Sequence, residues 1–255
     1  MSPAPGERLR IGKFLARCGQ ASRRKAEGLV TGGRVTVNGA VVTNLAERVD
    51  ASRDRVCLDG APLSLEAATT TLAYFKPRGV LVSRGDPQGR RTIYDELPAR
   101  WRPLAPRLLY AGRLDINSEG LLVVTTDGEL VHALTQASIK VEKEYHVRLD
   151  RELSEEDLDR LRAGVLMEGD DRPTAPCQAW SLGGGRRHAV VLLEGRNRQV
   201  RRMVQALGAQ VERLRRVRIG GLELGSMAPG DWRELAPGEK ALLLAQGEAP
   251  RPASA

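Results

Sequence analysis

Apolar residues recur at Ile11, Phe14, Leu15 and Cys18, the i, i+3, i+4, i+7 spacing of one helix face, and Gly19 follows where that helix can end. Ser22 is placed to cap a second helix. Its Ala26, Leu29 and Val30 face inward, and Gly32-Gly33 closes it. Arg34 to Val37 then alternates like a strand, and Asn38-Gly39 is the favoured two-residue hairpin turn. The pattern predicts a small unit of two helices and a hairpin, with Arg17, Arg23, Arg24, Lys25 and Arg34 on its polar positions.

Residues 60–70, GAPLSLEAATT, lack periodicity and read as a linker. A strand-like TLAYF (residues 71–75) follows. Lys76-Pro77-Arg78-Gly79 has the residue order of a type I turn, after which VLVS (residues 80–83) resumes the strand pattern. LLVVTT (residues 121–126) reads as a buried strand leading into a helix that carries Leu130, Val131 and Leu134. Tyr145, Val147 and Leu149 alternate with Glu144, His146 and Arg148, so the tyrosine shares an apolar strand face. Ser154 and Asp157 approximate a capping box before Leu158 and Leu161, and AVVLL (residues 189–193) is a further buried strand. Val200, Met203, Val204 and Leu207 mark a helix whose other side carries Arg198, Arg201, Arg202 and Gln205. From Pro237 the chain is rich in Ala, Pro and Gly and reads as frayed. Strands and helices mix without strict βα alternation, which predicts an α+β domain with a mixed, mostly antiparallel sheet. The expected boundaries are a module over 1–60, a linker over 61–70, a main domain over 71–240 and a flexible tail over 241–255.

Composition sharpens this picture. The 255 residues are 41% hydrophobic and 28% charged, and no apolar run approaches the ~18 residues of a membrane span. The first ten residues lack the apolar segment of a secretory signal, so a soluble cytoplasmic protein is expected. Cys18, Cys57 and Cys177 are odd in number and far apart, which suits reduced packing thiols. The three histidines have no paired ligand spacing, and neither a Walker loop nor a dinucleotide fingerprint occurs, so no metal and no cofactor are expected. The net charge is +8, and residues 1–60 alone hold 11 Lys/Arg against 6 Asp/Glu. That concentration is the footprint of a nucleic-acid-binding appendage. A second basic stretch, residues 196–218, has eight Arg and one acidic residue, Glu212.

The segment AGRLDINSEG (residues 111–120) poses the main chemical question. Its Asp115, Asn117, Glu119 and Gly120 imitate the start of a calcium loop, but the closing twelfth position is Thr126, which makes the loop a poor calcium site. Asp115 is then either a turn residue bonding nearby backbone or a catalytic carboxylate beside a buried strand, and the local sequence leaves both open.

The basic module, with SRRKAEGLVTGGRVTVNG at its centre, resembles the small RNA-binding module named after the fourth small-subunit ribosomal protein, over residues 8–55. Behind it, AGRLDINSEGLLVVTTDGEL, EKEYHVRL and LLEGRNRQVRRM resemble, in order and separation, the three catalytic motifs of the RsuA/RluB family of ribosomal-RNA pseudouridine synthases. GDPQGRRTIYDELP and GRNRQVRRM are most similar to the branch that modifies 23S rRNA; the small-subunit branch usually has Tyr-His at Asn197-Arg198. Ser118 stands where the family generally has Thr, and Thr126 where many members have Asn.

The resemblance implies a reaction that breaks the uridine N1–C1′ bond and rejoins C1′ to C5 of the same base. It needs no cofactor, but it does need a flipped-out base and one reactive carboxylate. By resemblance Asp115 is that carboxylate, Tyr145 packs on the uracil and Arg201 pairs with Asp115. Helical periodicity by itself does not separate Arg201 from Arg198 and Arg202. Arg113, Leu114 and Leu193 are expected to line the pocket. Arg17, Arg23, Arg24, Lys25, Arg34, Arg196, Asn197, Arg198 and Gln199 are expected to contact ribosomal RNA. Whether the carboxylate attacks C1′ or takes a proton from C2′ stays open, and a monomer is the expected state. The competing reading is a non-catalytic ribosome-assembly factor, for which Asp115 would be dispensable.

Overall fold

The computed structural model describes residues 8–19, 23–65 and 69–246. It contains two compact units. One comprises residues up to Thr71 together with Pro98–Leu109 and Thr125–Gly128; the other comprises Leu72–Leu97, Tyr110–Val124 and the residues from Glu129 onward.

In the first unit the predicted helices are Ile11–Arg17 and Arg23–Thr31, and the latter ends at Gly33, whose φ is +68°. The Ser22 cap lies outside the described residues. Ile11, Phe14, Leu15, Ala26 and Val30 are buried against Val35, Val49 and Val56 in one core. Four short strands lie in the order Ala40–Val42, Val35–Val37, Val56–Leu58, Ala61–Leu63. Asn38-Gly39 makes the predicted turn, and Asp59-Gly60 makes a second, all four residues having positive φ as a tight hairpin requires. The expected linker is corrected here. Ala61–Leu63 is a strand paired with Val56–Leu58, because the second turn folds the chain back before the polar segment begins.

The second unit is built on a sheet in the order Gln178–Ser181, Arg187–Leu192, Lys143–Leu149, Val211–Ile219, Glu119–Thr125, Thr71–Lys76, Trp232–Glu234. The Val211–Ile219 and Glu119–Thr125 strands are parallel, whereas Lys143–Leu149 is antiparallel to both Arg187–Leu192 and Val211–Ile219, Gln178–Ser181 to Arg187–Leu192, and Trp232–Glu234 to Thr71–Lys76. Helices Glu155–Ala163 and Gln199–Gln205 bury Leu158, Leu161, Val200, Met203 and Val204 against Val147, Leu149, Val190 and Leu192. The capping box is present: Asp157 N donates to Ser154 Oγ at 3.1 Å, and Ser154 N to Asp157 Oδ2 at 3.3 Å.

Two expectations fail in this unit. Residues 80–83 are not a strand, because only Leu81 forms a bridge, to Thr92. The tail is folded well past Pro237: Pro237–Leu242 is a helix, Glu239 Oε2 accepts from Ala236 N at 3.0 Å, and Leu243 is fully buried in the core of Phe75, Leu121 and Val123. A Pro at the first turn and a Glu two residues later form a helix start that composition conceals.

Candidate active site

The site begins with a charge at the end of an apolar strand. Every residue of Thr71–Lys76 is buried, and Lys76 is 0% exposed. Its Nζ donates to the carbonyls of Pro77 (2.9 Å) and Ser118 (2.7 Å), while Gly79 N donates to the Ile116 carbonyl at 2.8 Å. Ser118 N bonds back to the Asp115 carbonyl at 3.0 Å, so residues 115–118 form a turn. The Lys-Pro-Arg-Gly segment thus braces the turn that carries Asp115.

Arg201 braces it from the other side. From helix Gln199–Gln205 its guanidinium donates to the carbonyls of Val211 (3.1 Å) and Asn117 (3.1 Å), and its Nε lies 3.8 Å from Asp115 Oδ2. Burial pushes the Arg201 pKa down, opposed by the charge of Asp115. Of the arginines on this helix, Arg201 meets the carboxylate. Arg202 instead pairs with Asp170 and donates to the Glu168 carbonyl.

Tyr145 lies with Asp115 in a groove of about 380 Å³, whose wall includes Arg113, Leu193 and Arg198. Leu114 is buried and lines a narrower adjoining cleft, again with Asp115 and Tyr145. Arg113, Asn197 and Arg198 are exposed. Arg198 sits in the left-handed region, φ +50°, immediately before the helix, a strained conformation that turns the chain at the groove.

Other expected contacts take different roles. Arg196 is held by Asp170 (2.9 Å) and by the carbonyls of Arg172 (3.0 Å) and Pro173 (2.7 Å). Gln199 is buried; it donates to Glu194 Oε1 at 2.7 Å and accepts from Arg196 N at 2.8 Å. Both therefore build the 194–199 loop, and the expectation that they are open RNA contacts is corrected on that ground. In the first unit, Arg34 is paired two-pronged with Asp59 at 2.9 and 2.6 Å. Lys25 is exposed, Arg17 is half-buried, and Arg23 and Arg24 open the second helix.

Sequence reasoning missed Lys76, Lys143, Glu119 and Arg216. Glu119 is buried and accepts from Arg213 (2.9 Å) and Arg215 (2.7 Å). Burial raises its pKa, but the two arginines together outweigh that and hold it below the usual carboxylate range. A charged residue bordering a strand-like run, as Lys76 follows TLAYF and Glu119 precedes LLVV across one glycine, was the available signal.

Lys76 makes a stability prediction. Desolvation pushes its pKa down from 10.5 to about 8, against the pull of Asp115 and Glu119. The unfolded chain then holds the proton more tightly, so below pH about 8 the cost of burying the charge is fully present. It is relieved as pH rises from there toward 10.5. Lys143, lowered to about 8 by burial and then by Arg216, acts in the same direction. Lys76→Met is therefore expected to shrink, without abolishing, the rise in stability between pH 8 and 10 measured by urea unfolding. An unchanged slope would refute the assignment.

A family model described as RNA pseudouridylate synthase matches residues 70–206, and one described as S4 domain matches residues 9–56. The ribosomal large subunit pseudouridine synthase B of Yersinia pestis is 42% identical over 90% of this chain and 73% of its own length. That of Vibrio cholerae is 42% identical over 89% and 71%. A solved pseudouridylate synthase superposes with a TM-score of 0.68 at 30% identity, covering 92% of this chain and 99% of the other. With an S4 domain preceding the catalytic fold, the chain belongs to the RNA pseudouridylate synthase family and is an isomerase that converts uridine in RNA to pseudouridine.

Proposed function

We propose that the protein modifies a uridine of large-subunit (23S) ribosomal RNA, acting as a monomer without a cofactor, with Asp115 as the reactive carboxylate. The observation that carries this reading is the convergence of Asp115, Tyr145 and the 193–198 segment, remote in sequence, on one groove. The relatives named above act on the large ribosomal subunit by name, and Asn197-Arg198 follows the same branch.

The chemistry follows from the groups present. When N1–C1′ breaks, the bond pair leaves with the base. Asp115 then either bonds C1′ or removes a C2′ proton; the base turns and C5 forms the new bond to C1′, which releases the Asp115 carboxylate in the first route and returns the proton to C2′ in the second, and the C5 proton is lost while N1 takes one up. Tyr145 offers the detached uracil an aromatic face, so the base is retained while it turns. Arg201 places its cationic Nε 3.8 Å from Asp115 and holds the turn by its hydrogen bond to the Asn117 carbonyl. Extrusion of the uridine costs a few kcal/mol of stacking. Arg113 and Arg198, exposed at the groove, offset that by contacting phosphates, while the basic helices of the first unit hold structured RNA. The domain assignment that goes with this reading is an RNA-binding module through Leu63 and a catalytic domain from Thr71 through Leu243.

Incubating the purified protein with 23S and 16S rRNA and mapping pseudouridine by carbodiimide modification and primer extension tests the proposal. A new stop in 23S rRNA is expected. Modification confined to 16S rRNA, or none in either, would overturn it.

A further inference from the structure

Two cations in the active groove have no role in the scheme above. Lys143 and Arg216 both line it together with Asp115 and Tyr145. Their placement follows from strand register: Tyr145 lies directly opposite Arg216 on the neighbouring antiparallel strand, and Lys143 is two residues before Tyr145. Directly opposed side chains share a sheet face with Cβ atoms about 5 Å apart. Tyr145, Arg216 and Lys143 thus form one patch of the groove wall.

The patch is electrostatically uncompensated. Arg216 is 2% exposed; its Nε donates to the Leu121 carbonyl at 2.8 Å, and its Nη2 has no hydrogen-bond partner among the described residues. Lys143 Nζ donates to the Val141 carbonyl at 2.9 Å. Neither cation forms an ion pair among the described residues, in contrast to Arg213, Arg215 and Arg218, which are met by Glu119, Glu142 or Glu144. A buried guanidinium with an unmatched N–H is costly unless something anionic or carbonyl-bearing completes it. Burial also pushes the Lys143 ammonium down to about 8, which makes a negative neighbour more valuable to it.

We infer that Arg216 and Lys143 clamp the polar edge of the uracil that packs on Tyr145 and stabilise the negative charge the base acquires when N1–C1′ breaks. The inference rests on the roles proposed above for Asp115 and Tyr145. Either route for Asp115 sends the N1–C1′ bond pair to the base, so the ring carries a full negative charge, spread over N1 and both carbonyl oxygens, until C5 attacks C1′. Donors fixed where charge develops act on the barrier more than on ground-state binding. Tyr145 supplies a face without charge; the two cations beside it supply the electrostatics that an anionic leaving group requires.

The test is single-turnover kinetics with saturating protein on RNA carrying either uridine or 5-fluorouridine at the target, read as loss of the original nucleotide. Lys143→Met is expected to slow the uridine reaction about 100-fold, with RNA affinity within a few-fold of the parent and with recovery in Lys143→Arg. Fluorine makes the departing base a more stable anion, so the defect of Lys143→Met narrows on the 5-fluorouridine substrate. Arg216→Met is expected to behave alike. Should that variant not fold, the Lys143 pair and Arg216→Lys decide. A loss that appears as weaker, less salt-sensitive RNA binding, equal for both substrates, would assign the pair to a phosphate and overturn the inference. So would unchanged rates. A parent protein that forms no pseudouridine, or an Asp115→Asn variant of full activity, would instead refute the underlying reading.

Discussion

Asp115→Asn is expected to reduce pseudouridine formation by about 10⁴-fold or more, on the scale of deleting a residue that bonds the substrate, while RNA affinity stays within a few-fold. The substitution keeps shape and removes only charge and nucleophilicity. What anchors the turn does not depend on that charge: Lys76 holds the Ser118 carbonyl, Arg201 the Asn117 carbonyl, and Gly79 the Ile116 carbonyl. The turn therefore persists in the variant, and a folded, RNA-binding, inactive protein results. Binding is insensitive because the phosphate contacts assigned to Arg113 and Arg198 lie elsewhere along the groove. Nucleoside analysis of digested RNA and electrophoretic binding at matched salt would measure the two quantities. Retained catalysis would mean that Asp115 is not the reactive carboxylate and that its turn serves only to shape the groove.

This split between chemistry and binding also shows where the sequence was readable. The helix stripes at Ile11–Cys18 and Val200–Leu207, the Asn38-Gly39 turn and the Ser154 box are local, set by spacing within one or two turns of chain, and they recur in the structure. So does the mixed, mostly antiparallel sheet. The run of arginines from 196 to 218 was harder, because its meaning depends on strand pairing far away in sequence. Arg196 closes a loop on Asp170, Arg201 reaches Asp115, and Arg218 is buried against Glu142 and Glu144. Arg216 arrives opposite Tyr145 only because Val217 is an extra, unpaired residue on its strand: Glu144 opposes Arg218, and the next residue, Tyr145, opposes Arg216. A one-residue change of register exchanges the two faces of a strand, and local composition does not carry it. Lys76 was obscured for a related reason: its partners are backbone carbonyls, one of them 42 residues away.

The second large effect falls on Gly120, where fold and site meet. Gly120→Ala is expected to destabilise the protein by about 4 kcal/mol or more, against about 1 kcal/mol for Gly89→Ala. Both glycines have positive φ, +112° at Gly120 and +69° at Gly89, so both substitutions strain the backbone. They differ in the space around them. A Cβ on Gly89 meets nothing within 4 Å, whereas on Gly120 it would lie 2.2 Å from the Arg216 carbonyl oxygen and 2.7 Å from its nitrogen. These are backbone atoms of the parallel partner strand, in register with Gly120, and they cannot rotate aside. Relief requires the two strands to separate at the point where Glu119 is bound by Arg213 and Arg215 and Arg216 Nε bonds Leu121. That movement would carry Ser118 away from Lys76 and with it the turn bearing Asp115, so activity per folded molecule falls together with stability. Urea unfolding of the two variants side by side, with single-turnover rates on the folded fractions, separates the contributions. Equal costs for the two substitutions would mean that the strands yield freely, and that the tight approach of Gly120 to Arg216 does not hold the turn in place.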